Sequence, residues 1–248
     1  MTRAPAAVAT ILALAVGLAG CGGPPLGGDP DDFAEVPGIG STRIDVPRPT
    51  GVASAPCDDV PLPPATDETT VERVAALRDI GFFADRTGVS DTELAAEVDE
   101  RIVAGWGTEL PVDDPFRDLA VAEQDPARVL WIDLEADVSE DNQIYVATVD
   151  QLEVISAGAF GPVGVAESWA SETGPVTVSF DLDSARHELM PAYLEDWIDP
   201  GILVGINERI ADSGRRFELY RAFDQTALIV ALTDAERTAL ETRGWCFE

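Results

Sequence analysis

Residues 217–223 read FELYRAF, residues 224–225 are Asp-Gln, residues 227–232 read ALIVAL, and Thr233-Asp234-Ala235-Glu236 follows at once. Two apolar, β-prone runs around a short polar turn predict a β-hairpin. Thr-x-x-Glu is a capping box: hydroxyl and carboxylate satisfy amides that a first helical turn leaves unpaired. It predicts a helix running on to Gly244. Strand, strand and helix in one short stretch place both element types in the same layer system, which sets the fold class.

Working outward, the same logic predicts more helices. Residues 70–80 carry Val71, Val74, Leu77 and Ile80 near one face before Gly81. Ser90-Asp91-Thr92-Glu93 is a second capping box, opening a helix with Leu94, Val98 and Ile102 inward and a stop at Gly105. Asp114-Pro115 opens a short third, ending before Asp125-Pro126. Residues 142–157 form a fourth with Ile144, Thr148, Leu152 and Ile155 on one side; Asp199-Pro200 opens a fifth with Leu203, Ile206 and Ile210 inward, closed by Gly214. Further strands are predicted at residues 129–132, an unbroken apolar run suited to an inner strand. Another falls where Val176, Val178, Phe180 and Leu182 alternate with Thr177, Ser179 and Asp181. The expectation is a single α+β domain: a mixed or antiparallel sheet of about four strands, about six helices, and a C-terminal β-hairpin followed by a helix.

The chain has 248 residues, with 46 Asp plus Glu against 16 basic residues, all of them arginine, and a formal charge of −30. Such a field repels phosphate backbones, so a nucleic-acid partner is excluded from the expectations. It favours solubility and could attract a basic protein or a cation. Residues 22–64 shift to Gly, Pro and Asp without periodicity and read as a flexible tether.

Ahead of the tether, Arg3 precedes an apolar run of ~14 residues, which suits a secretory signal and falls short of the ~20 needed to span a bilayer. Leu18-Ala19-Gly20-Cys21 closes it. This segment resembles the lipobox of bacterial lipoproteins over about the first 23 residues. The resemblance implies cleavage before Cys21, diacylation of its thiol and attachment to the membrane on the extracytoplasmic side, where two acyl chains suffice for stable anchoring. The expected organisation is signal peptide 1–20, tether 21–64 and folded domain 65–248, with the membrane a partner through the N-terminal lipid. Lipidation of Cys21 leaves Cys57 and Cys246 as a pair in an oxidising compartment, and a disulfide between them is expected.

Candidate sites are mostly carboxylates. Asp133, Glu135 and Asp137 alternate after the 129–132 run, so an extended chain projects all three from one face, a candidate calcium site. An EF-hand is excluded, because its sixth position is Val138 instead of Gly and its twelfth Ile144 instead of Glu. Glu140, Asp141 and Asn142 lie nearby but suit a helix start. Glu167 beside Trp169 is the one combination that suggests an acid catalyst with a sugar-stacking ring, and Asp181 with Asp183 is a second carboxylate pair. Ser184, Asp183 and the single histidine, His187, lack a G-x-S-x-G elbow. The glycines 158, 161 and 164 follow a helix and lack a lysine, so helix-end turns account for them better than a phosphate cradle. Arg215, Arg216 and Arg221 are the main basic cluster, suited to pairing with local acids. The five tryptophans, 106, 131, 169, 197 and 245, suit packing anchors. The leading functional expectation is a lipid-anchored, non-enzymatic binding module at the cell envelope. A carboxylate-dependent envelope hydrolase and a calcium-binding protein are the alternatives.

Overall fold

The computed structural model describes Cys57, residues 66–223 and residues 225–248. All fall within one compact unit, Val46–Glu248. Cys21, the signal segment and the tether segment apart from Cys57 lie outside the described residues, as do the side chains of Trp106 and Arg221.

Six α-helices and six strands build an α+β domain from the described residues. The strands divide into two three-stranded antiparallel sheets in place of one sheet of about four. In the first, β1 (Val129–Asp133), β5 (Arg216–Phe223) and β6 (Thr226–Leu232) lie in the order β1-β6-β5. The β5–β6 hairpin pairs Arg216 with Leu232 and Tyr220 with Leu228. β6 is the inner strand, and its uninterrupted apolar sequence follows from that position: Ala227, Ile229 and Ala231 enter one core while Leu228, Val230 and Leu232 enter the other. The apolar run 129–132 is therefore not an inner strand. It is β1, at the sheet edge, with Leu130 and Ile132 buried and Trp131 41% exposed.

One face of this sheet is covered by α1 (Thr70–Ile80), α2 (Asp91–Trp106), α3 (Arg117–Ala122) and α6 (Asp234–Thr242), which share a core of Val74, Leu77, Phe82, Ile102 and Trp245 with it. Three of these helices start at capping boxes, Thr69/Glu72, Ser90/Glu93 and Thr233/Glu236. α2 runs through Gly105 and closes at Gly107, whose φ of 72° supplies the left-handed cap. The other face carries α4 (Ile144–Ile155), α5 (Ile202–Arg209) and the second sheet: β2 (Val163–Trp169), β3 (Val176–Leu182) and β4 (Ala185–Leu189), in the order β2-β3-β4. Tyr145, Leu152, Phe160, Phe180, Ile206 and Phe217 fill this second core. Phe160 meets Phe180 and Phe217 edge to face, at 5.5 and 5.9 Å between ring centroids. Gly205 lets α5 close on β4, since a Cβ there would sit 2.6 Å from Leu189 Cδ2.

Cys57 is joined to Cys246 across 189 residues of sequence, with the Cα atoms 5.8 Å apart. Cys57 is fully buried, whereas Cys246 keeps partial exposure.

Candidate functional site

Past Asp133 the chain of β1 bends at Leu134 and stays hydrogen-bonded to its neighbours. Leu134 N–H donates to Gln225 O at 2.6 Å, Ile198 N–H to Leu134 O at 2.8 Å and Ala136 N–H to Asp196 O at 2.7 Å. Alternation is kept throughout: Leu130, Ile132, Leu134 and Val138 are buried, while Trp131, Asp133, Glu135 and Asp137 are exposed. One aromatic ring and three carboxylates thus face solvent.

Among the described residues no group of three or more His, Cys, Asp or Glu side chains is placed to hold a metal ion. Asp133 is also partly committed: Oδ1 accepts Glu135 N–H at 3.0 Å and Oδ2 accepts Gln225 Nε2 at 3.4 Å. Asn142 Oδ1 accepts Ser139 N–H at 3.4 Å in the turns before α4.

The other sequence candidates have structural tasks. Glu167 Oε2 accepts Tyr145 N–H at 3.0 Å, satisfying a free amide of the first turn of α4, and Oε1 accepts Trp169 Nε1 at 2.7 Å. Asp183 and Ser184 form the two-residue turn of the β3–β4 hairpin, with φ of 50° and 67°. Positive φ at both positions is the requirement of a type I′ turn, so the approach of Asp183, Ser184 and His187 in sequence reflects a hairpin. His187 faces Phe180 at 5.8 Å between centroids. Asp181 pairs with Arg186 at 3.4 Å. Gly158 follows α4 with φ 82°, and Gly164 lies in β2, whose pairing with β3 slips between Val163 and Ala166. Arg215 holds Glu236 by two bonds at 2.7 and 3.1 Å, and Arg216 holds Glu218 at 3.2 Å.

Sequence reasoning missed the main buried polar assembly. Asp118 on α3 is buried and accepts from Arg73 Nη1 (2.9 Å), Arg243 Nε (2.8 Å), Arg243 Nη2 (2.6 Å) and Trp245 Nε1 (3.2 Å). Burial alone would raise its pKa, but Arg243, Trp245 and Arg73 outweigh burial and hold the carboxyl below the usual aspartate range. Next to it, buried Arg117 donates to Thr70 Oγ1 at 2.9 Å and to Asp99. An open cleft of about 420 Å³ lies over the Asp118 cluster, between Glu68, Asp114, Glu241 and Arg243. The partners are 45 and 125 residues apart, so no local spacing announces them.

A carboxyl serving as an acid catalyst needs a raised pKa inside a cleft. The buried acid of this cleft is shifted the opposite way. Among the described residues two carboxyls are raised, both chiefly by burial: Asp125, which accepts the N–H groups of Phe83 and Ala127, and Glu218, which faces Arg216 and Arg237. Neither lines the cleft. Tyr145 is pushed up to about 12 by burial, and its hydroxyl accepts Asp199 N–H at 3.0 Å.

No family model, curated protein or solved structure matches this chain. Among the described residues no helix is long and apolar enough to cross a membrane.

Proposed function

We propose that the protein is a lipid-anchored extracytoplasmic binding module, without catalytic activity, that docks an arginine- or lysine-rich extended segment of a partner protein. The anchor rests on Leu18-Ala19-Gly20-Cys21 after its apolar run. The observation that carries the binding half is four exposed side chains close in sequence, Trp131 and Asp133 on the edge strand β1 and Glu135 and Asp137 just past the bend that follows it. An extended partner repeats its side chains every ~6.6 Å, as Trp131 and Asp133 do on β1. Cations at alternate positions would therefore meet the Trp131 ring and the Asp133 carboxylate, with Glu135 and Asp137 adding negative charge where the chain bends away. The surrounding charge of −30 speeds the encounter and makes it salt-sensitive.

The test is fluorescence anisotropy with a labelled peptide of alternating arginine and serine. Trp131→Ala and the triple change Asp133→Asn, Glu135→Gln, Asp137→Asn should each weaken binding about tenfold. A control triple of equal charge, Asp150→Asn, Glu172→Gln, Asp212→Asn, should change it far less. Equal loss in both triples would show attraction to net charge alone and refute the docking site.

A further inference from the structure

Among the described residues four strands lie at sheet edges: β1, β5, β2 and β4. An edge is a row of unpaired backbone groups, a template for another strand. β5 is met by the C-terminal residues: Glu248 N–H donates to Leu219 O at 2.7 Å, and Tyr220 pairs with Phe247. β2 slips its register between Val163 and Ala166 and holds Gly164 at φ 64°, which blunts its edge. β1, VLWID, has a carboxylate and no cation to answer it in a second copy. β4, ARHEL, is regular and has both charges. It pairs with β3 without a slip, from Leu182 with Ala185 to Val178 with Leu189. Among the described residues no backbone hydrogen bond from another element reaches residues 185–189.

The turn decides which backbone groups are left over. A two-residue hairpin closes on a pair that exchanges both backbone bonds, here Leu182 with Ala185, and such pairs recur at alternate positions. Ala185, His187 and Leu189 therefore bond to β3, while the N–H and C=O groups of Arg186 and Glu188 point out of the edge. Side chains alternate as well: Leu189 is buried and His187 half-buried against Phe180, whereas Arg186 and Glu188 are exposed on the solvent face.

We infer that β4 pairs with β4 of a second copy of this chain, antiparallel and centred on His187, which joins two three-stranded sheets into one. The strand is self-complementary about that centre. Arg186 stands opposite the partner's Glu188 and Glu188 opposite the partner's Arg186, and each pair exchanges its outward backbone bonds. On the core side Leu189 meets the partner's Ala185, a large apolar side chain against a small one. Glu188 is without a partner in its own chain among the described residues. Arg186 leans on Ser179 Oγ at 2.6 Å, Gly164 O at 3.3 Å and Asp181 Oδ1 at 3.4 Å through its two Nη atoms, which leaves Nε for the incoming carboxylate. The formal charge of −30 on each copy opposes association. At about 0.1 M salt, however, charges more than about 10 Å apart are largely screened, whereas the arginines and glutamates at the axis are in contact.

The experiment is sedimentation velocity of the full chain in detergent solution at about 0.15 M salt, over a series of concentrations. The native chain should pass from monomer to dimer as concentration rises. Arg186→Glu sets carboxylate against carboxylate at both ends of the register, and Glu188→Arg sets guanidinium against guanidinium; each should weaken association about tenfold or more. An equimolar mixture of the two variants restores opposite charges at both positions and should form a mixed dimer at least as tightly as the native chain. A second measurement does not depend on these variants: oxidised His187→Cys should give a covalent dimer linked through position 187, located by peptide mass mapping, because directly opposed Cβ atoms lie about 4.5–5.5 Å apart. Glu172→Cys, exposed and away from the axis, is the control and should not link. A native chain that stays monomeric throughout the series overturns the proposal, and so does a dimer undisturbed by both single changes, which would lie at another surface. A mixture that associates no better than either variant, or His187→Cys linked no faster than Glu172→Cys, overturns it as well.

Discussion

Arg243 grips Asp118 with two nitrogens, Nε on Oδ2 at 2.8 Å and Nη2 on Oδ1 at 2.6 Å, across 125 residues of chain. The grip fixes the turn after α6 onto α3. Trp245 completes it from the same turn and Arg73 from α1, so that α1, α3 and the C-terminal turn share one carboxylate. A buried acid with four donors is costly to neutralise, because each donor loses its ionic partner while staying out of water. Asp118→Asn should lower unfolding free energy by about 3 kcal/mol, measured by urea denaturation.

Acid should act in opposite directions on two buried carboxylates of this layer, Asp118 and Glu218. Asp118 lies below its ordinary 3.8, so its contribution is complete above that value and is lost as pH falls through the lowered pKa. Glu218 lies above its ordinary 4.5 because burial outweighs Arg216 and Arg237. Its ionised form is a burden at neutral pH, and that burden is relieved as pH falls through the raised pKa. Glu218→Gln should therefore leave stability at pH 7 unchanged or higher, and should remove the gain seen on mild acidification. Denaturation curves between neutral pH and pH ~3 check both signs.

Opening the disulfide by Cys57→Ser should destabilise the domain without unfolding it. Chain entropy for a 189-residue separation sets a ceiling of about 5 kcal/mol. The salt cluster already restrains the same two segments, so the measured loss should fall below that ceiling. A thermal melt of native and variant chains reads the difference.

Glu167→Ala should cost about 1–2 kcal/mol through the cap of α4 and the Trp169 indole, with the loss visible as faster exchange in the first turn of α4. A carboxylate kept for acid catalysis would instead be removable at little cost in stability.

Local chemistry was readable from the sequence wherever the signal was local. The capping boxes at Ser90 and Thr233 fix two helix starts, and the hairpin of β5 and β6 follows from two apolar runs around one turn. The division into two sheets was hidden. β4 exposes Arg186 and Glu188 and buries only Leu189, and β2 starts beside a glycine at φ 64°, so neither shows the apolar alternation that reveals β3. The run 129–132 looked like an inner strand because both faces of β1 are largely apolar, yet lateral position in a sheet leaves no mark on periodicity. The exposure of Asp133, Glu135 and Asp137 was legible from alternation, whereas the bend at Leu134 between them was not. The Asp118 cluster was illegible because its partners meet only through packing of α1, α3 and the C-terminal turn.

The most direct measurement of the central claim is an amide chemical-shift map of the ¹⁵N-labelled domain during titration with the alternating arginine–serine peptide. The account predicts shifts concentrated at residues 129–138, including the Trp131 indole, and diminishing with added salt. Shifts spread evenly over the acidic surface, or centred on the cleft at Glu68 and Glu241 with residues 129–138 unmoved, would contradict it.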